Sequence, residues 1–263
     1  MTNHLTLEDA VSHRTGMPRH DRASFRECNG EEATPKDFVR HMRNLALTAE
    51  PRTKFMYNNW MYIVLAHVVE TLTGDRLEDV FKKQIWGPLG MDSTFLDLEQ
   101  AKKAPEHLAT GCYWDESDKE FKAAPEIRIN EMSGAGAIFS NVLDYAKWLK
   151  CLLHDGAPLS KETHKDIKTP RIMGAMPMAG KDINMYGLGW QRTLYKGHVL
   201  YHHAGGVLGY GSQVYWLPGD KFAVVAFGNT CMTSNAAGEI LAYRLIDQKL
   251  GILEQDRFDH GTL

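Results

Sequence analysis

The chain predicts an α+β fold: an antiparallel sheet flanked by helices, with a helical subdomain before it. Three observations carry this. Amphipathic helix patterns with clear start and stop signals fill the first half of the 263 residues. Apolar runs of strand length, joined by a turn signal, follow near the C-terminal end. One closing helix comes last, so the order is helices then strands and not alternating βαβ.

The first helix starts at Thr6, a capping threonine with Asp9 at the third helical position, and stops near Gly16 with Pro18 beyond. Met17 to Glu32 is polar and reads as a loop. Thr34-Pro35-Lys36-Asp37 opens a second helix, with Pro at the first position and an acid at the positive dipole end. The strongest helix covers Asn59 to Leu72, with Met61, Val64, Leu65, Val68 and Leu72 on its expected buried face and Gly74 ending it. Leu77 to Ile85 forms another, closed by Gly87-Pro88. Asn141 to His154 carries a stripe of Val142, Tyr145, Leu149, Leu152 and Leu153.

In the last third, Val199–His203, Gln213–Leu217 and Phe222–Phe227 read as strands, the last two joined through Pro218-Gly219-Asp220. Ala236 to Leu250 is the closing helix, expected to turn Ile240, Leu241, Leu245 and Ile246 to the sheet. The organisation expected is a single domain over 1–263: helical to about 185, sheet and closing helix over about 186–251, and a polar tail over 252–263.

Composition narrows the function. Hydrophobic residues make up 43% and charged residues 24%, and the net charge is −3, which offers nothing to nucleic acid or an anionic membrane. Cys28, Cys112, Cys151 and Cys231 are far apart and form no CxxC, so neither a disulfide framework nor a zinc knuckle is expected. No secretory signal and no membrane span is visible, and a cytoplasmic protein without cofactor is expected.

Two motifs could carry chemistry. Tyr57-Asn58-Asn59 opens the strongest helix, where a tyrosine can serve as a proton acceptor if cations lower its pKa of roughly 10. Asn59 would cap the helix and could offer its amide to a substrate carbonyl; an Asn at this place also serves equally as a simple cap. His203-Ala204-Gly205-Gly206 lies on a strand. Its small residues would let a substrate lie along the edge, with backbone N–H groups for a developing oxyanion; a glycine bulge is the alternative. A metal site of His198, His202 and His203 fails on geometry. His202 and His203 point to opposite faces, and His198 lies roughly 13 Å from His202. Glu131-Met132-Ser133-Gly134-Ala135-Gly136 lacks the first glycine of a nucleophile elbow. No Ser-x-x-Lys occurs anywhere.

Read in order, six segments resemble one family. The run from Leu5 to Pro18 is similar to "LLSHTSGLP", Phe55-Met56-Tyr57-Asn58-Asn59 to "FxYSN", and Gly87-Pro88-Leu89-Gly90-Met91 to "PLGM". Gly134 to Ser140 is similar to "GGLxST", Tyr186-Gly187-Leu188-Gly189-Trp190 to "YGLGW", and His203-Ala204-Gly205-Gly206 to "HTGG". These are marks of the serine β-lactamase and penicillin-binding-protein superfamily, in its class C-like branch of esterases, D-amino-acid peptidases and acyltransferases.

The resemblance implies an acyl-enzyme mechanism on a small ester, amide or acyl donor. Tyr57 takes the base role, Asn59 and His203 contact substrate, and Gly205 and Gly206 line the oxyanion side. In the family the Ser-x-x-Lys helix precedes the segment matched at Leu5. The chain is therefore expected to lack its nucleophile segment, to be incomplete at the N-terminus and to be inactive alone. A catalytically dead binding or regulatory module that keeps the cleft is the alternative. His203 stands where penicillin-recognising members often carry Lys, which favours esters or acyl transfer over β-lactams. Tyr113, Trp114, Tyr186 and Trp190 are candidate aromatic linings. Pro51-Arg52 replaces the family's usual Pro-Gly.

Overall fold

The computed structural model describes residues 4–19, 27–28, 30–105, 107–126, 132–174 and 183–257. The helices are α1 (Leu7–Val11), α2 (Pro35–Met42), α3 (Asn59–Thr73), α4 (Leu77–Phe81), α5 (Gly87–Leu89), α6 (Leu98–Lys103), α7 (Ser133–Gly136), α8 (Val142–His154), α9 (Lys161–Lys168) and α10 (Thr233–Leu250). A π-helical turn, Lys82–Trp86, joins α4 to α5. Two small hairpins pair β1 (Glu27–Cys28) with β2 (Glu31–Glu32) and β3 (Cys112–Asp115) with β4 (Glu120–Ala123). The main sheet holds β5 (Ile172–Met173), β6 (Met185–Tyr186), β7 (Gln191–Tyr195), β8 (His198–Val207), β9 (Tyr210–Leu217) and β10 (Phe222–Gly228). They lie in sequence order, every neighbouring pair antiparallel, with β10 at one edge and β5 at the other.

The sheet is covered on both faces, and strand alternation decides which residue goes where. On β9, Tyr215 and Leu217 pack with Ala242, Tyr243 and Ile246 of α10. Val214 and Trp216 point the other way, onto Leu149 and Leu152 of α8. A separate core, with Phe38, Trp60, Met61 and Ile63 at its centre, holds α1, α2 and α3 together.

The start signals act as the sequence predicts. Thr6 and Thr34 each form a capping box, with Asp9 and Asp37. Gly74 ends α3 in the left-handed region at φ 75°. Four expectations change. The buried residues of α3 are Trp60, Met61, Ile63 and Ala66, whereas Leu72 is 79% exposed because it lies beyond the helices that cover the first three turns. On α10, Ala242, Tyr243 and Ile246 face the sheet, and Leu241 and Leu245 remain exposed. Val142 on α8 is exposed as well. The stretch expected to be a loop up to Glu32 contains the β1–β2 hairpin.

Candidate active site

The site is built where α1 ends. Ser12 closes that helix, and His13 then turns the chain with φ 57°, a left-handed conformation that is uncommon for a residue with a side chain. The turn lets successive carbonyls receive the loop that leads into α3. His13 accepts from Met56 N–H at 2.8 Å, Arg14 from Arg52 N–H at 2.7 Å, and Gly16 from Thr48 N–H at 3.0 Å. Gly16 is obligatory there: at φ +80°, a Cβ would sit 2.0 Å from the Ala49 carbonyl oxygen.

Asn58, not Asn59, caps α3. Its Oδ1 accepts from Met61 N–H at 3.3 Å, and its Nδ2 donates to the Pro18 carbonyl at 2.8 Å. Asn59 is instead the first helical residue and is half-buried. Asn58 follows Tyr57 directly, so the cap fixes where the tyrosine leaves the loop.

Tyr57 belongs to a cluster of rings. His13 lies 4.3 Å from it, centroid to centroid, and Tyr62 and Tyr186 lie 5.2 Å and 4.9 Å from His13. Across the cleft, the His203 ring is 6.2 Å from Tyr57. The two sequence motifs thus meet, although 146 positions separate Tyr57 from His203. Tyr186, on β6, closes the third side: its hydroxyl donates to His203 Nε2 at 3.2 Å, and His203 Nδ1 donates to the Ala204 carbonyl at 2.7 Å.

Burial favours a neutral histidine, and the Ala204 carbonyl, which can only accept, then places its proton on Nδ1. Burial lowers the His203 pKa, and the Ala204 carbonyl offsets this only in part. Burial also raises the Tyr186 phenol well above its ordinary value, and does the same to Tyr62, whose hydroxyl donates to the Val11 carbonyl at 2.8 Å. Tyr57 is half-buried and has the Arg19 guanidinium 5.2 Å over its ring, a cation that the motif alone did not reveal.

Strand β8 supplies the opposite wall. Its pairing with β7 runs only from His198 to His202, while the pairing with β9 continues to Val207. From His203 onward, β7 therefore leaves that edge of β8 open. Gly205 and Gly206 lie on this open stretch, with side chains packed close behind both. A Cβ at Gly205 would meet Ser212 Oγ at 2.4 Å, and one at Gly206 would meet Cys231 Sγ at 3.2 Å.

The other candidates fall elsewhere. Trp190 is buried against Trp216 at 5.7 Å inside the sheet core, away from the cleft. Tyr113 and Trp114 are exposed on the β3–β4 hairpin, where Trp114 meets Phe121 edge to face. His198 bonds to Asp220 at 2.9 Å and His202 stacks on Tyr215, so neither joins His203. Ser133 and the glycines after it form α7, packed so closely on α3 that a Cβ at Gly134 would meet the Tyr62 carbonyl oxygen at 2.2 Å; Glu131 lies outside the described residues. Sequence reasoning missed His13 and Arg19 as members of the site. The signal available was the Ser-His-Arg-Thr-Gly run after α1, a helix stop with an unusual histidine in it.

Known proteins share this architecture and sequence. The chain is 41% identical to an unguisins hydrolase of Aspergillus campestris over 259 residues, which are 98% of this chain and 48% of that protein. It spans about half the length of the curated relatives it matches. The solved octameric penicillin-binding protein homologue from Pyrococcus abyssi superposes with a TM-score of 0.80 at 25% identity, over 94% of this chain and 56% of that one. A D-amino acid amidase from Ochrobactrum anthropi, at 20% identity, shares the fold with a TM-score of 0.70 over 86% of this chain and 64% of that one. The Beta-lactamase family model matches residues 2–247, and with it the meeting of Tyr57 and His203 across one cleft has its explanation: the chain belongs to the β-lactamase family.

Proposed function

We propose that the cleft between Tyr57 and His203 is the proton-handling and substrate-holding part of a serine acyl-transfer site acting on a small ester or amide. The observation that carries this is the 6.2 Å approach of the two rings, with the Tyr186 hydroxyl on His203. Tyr57 is the phenol placed to exchange a proton, because it is half-buried and has a cation beside it, while burial keeps Tyr62 and Tyr186 protonated. Asn59 offers an amide at the mouth of α3, and the edge of β8 at Gly205 and Gly206 receives the reacting carbonyl. The similarity to a named hydrolase and the fold shared with an amidase support an ester or amide as substrate class.

A neutral His203 gives a substrate carboxylate no counter-charge, which favours uncharged esters and amides over carboxylate-bearing acyl donors. The acyl-accepting group is not present in this sequence as a Ser-x-x-Lys.

The test is a titration of tyrosine- and histidine-labelled chain with a p-nitrophenyl ester and with phenylalanine amide, read by NMR and intact mass. Saturable shifts at Tyr57 and His203 without an acyl mass increment are expected. Failure of both ligands to shift either residue would remove the substrate cleft. Covalent acylation of this polypeptide would show that it carries a nucleophile of another kind.

A further inference from the structure

His13 is wholly buried and grips the chain on both sides of Tyr57. Its carbonyl accepts from Met56 N–H at 2.8 Å, and its ring Nδ1 accepts from Asn58 N–H at 3.2 Å. Between these two bonds the imidazole itself lies 4.3 Å from the Tyr57 ring, tilted by 43°. The φ of 57° at His13 is what brings the carbonyl and the ring of one residue to the same loop. Histidine accepts the left-handed region more readily than most residues, but burying its polar ring is a costly choice for mere filling.

We propose that His13 is the positioning residue for Tyr57, holding the phenol in the cleft through a neutral imidazole that accepts the Asn58 N–H; this rests on the acyl-transfer reading of the cleft. The protonation state follows from the bonds. Nδ1 receives a proton donor, so it has no hydrogen of its own, and the single ring proton is on Nε2. A second proton would place N–H against N–H and break the Asn58 side of the grip. The groups facing the ring are Tyr57, Tyr62, Tyr186, His203 and Arg19, and both Arg19 and His203 oppose a charge there. Burial, the largest cause, acts in the same direction.

Two substitutions separate gripping from filling. His13→Asn discards the ring but keeps an acceptor at the Nδ1 position and tolerates the left-handed backbone. His13→Phe keeps the ring and discards the acceptor. In the purified chain, exchange of the Asn58 amide should accelerate about 10-fold or more in H13F and stay within about 2-fold in H13N, the span of one hydrogen bond. The Tyr57 Cζ resonance should move in H13F and hold in H13N. The opposite ranking, with Phe preserving both signals and Asn losing them, would overturn the proposal, since packing alone would then explain His13. Neither readout needs turnover. If the ester titration fails while these signals rank as stated, the proposed function fails and the grip survives; if ligand binds normally while the ranking reverses, only the grip fails.

Discussion

The Tyr186 hydroxyl donates to His203 Nε2 at 3.2 Å, and this bond ties β6 to β8 across the base of the cleft, two strands apart in the sheet. A donor on Nε2 favours the uncharged form of His203, in the same direction as burial. Tyr186→Phe removes that donor, so the His203 imidazole should titrate higher, by about half a unit to one unit, moving back towards the ordinary histidine value. Histidine proton NMR across pH 4–8 measures it; an unchanged titration would mean that burial alone keeps His203 neutral.

His13 makes the fold sensitive to mild acid. Burial, aided by His203 and Arg19, lowers its pKa from 6.5 to about 3. Above pH 6.5 both the folded and the unfolded chain hold it neutral; below that, the unfolded chain takes up the proton first. Stability is therefore full above pH 6.5 and falls as pH drops towards 3, by about 3 kcal/mol at pH 4. Urea unfolding at pH 7, 5.5 and 4 should show this slope, and His13→Asn should flatten it.

Asp9 acts in a separate, more acidic window. Burial alone would raise its pKa, but hydrogen bonds from Arg52, Thr6 and Arg14 outweigh that and hold the carboxyl well below the usual carboxylate range. Its contribution is present above about pH 3.8 and is lost as pH falls further. Arg52 donates to both Asp9 oxygens, at 3.0 and 2.7 Å, from a backbone with φ 67°. A glycine would adopt that positive φ without strain. Arg52→Ala should lower the urea midpoint, because it removes a charged partner from a buried acid and keeps the unfavourable φ. Arg52→Gly should lower it less than Arg52→Ala, because glycine relieves the positive φ. Equal losses in the two variants would show that the left-handed backbone carries no strain.

Asn58 joins the helix cap to the loop below it. Asn58→Ala removes the bond to Met61 N–H and the bond to the Pro18 carbonyl, and should lower stability by about 1–2 kcal/mol with no change in denaturant slope. Because Asn58 follows Tyr57 directly, ligand-induced shifts at Tyr57 should weaken along with stability. Asn59→Ala, beyond the cap, should spare stability and weaken ligand binding; thermal melts beside the ester titration separate the two asparagines.

Much of the architecture was legible because it is local. Threonine–aspartate capping boxes, Gly74, the apolar run of β9 and the turn at Pro218-Gly219-Asp220 are decided by neighbours in the chain. The buried faces of α3 and α10 were not, since which side is covered depends on where α1, α2 and the sheet lie. Strands β5 and β6 are two residues long and have no periodicity to read. The same division holds in the site. Tyr57, Tyr186 and His203 stand in motifs that sequence displays, whereas the roles of Tyr186 and His13 depend on contacts with residues 17 and 44 positions away.

The position of β10 at the edge of the main sheet has a practical cost. Phe222-Ala223-Val224-Val225-Ala226-Phe227 has no charge and no proline, and it is rich in β-formers, the composition that a bare strand edge uses to recruit another chain. Colloidal behaviour, more than folding, should then govern how this polypeptide is handled: light scattering should rise with concentration, and Phe227→Lys, at the exposed position of the strand, should suppress it.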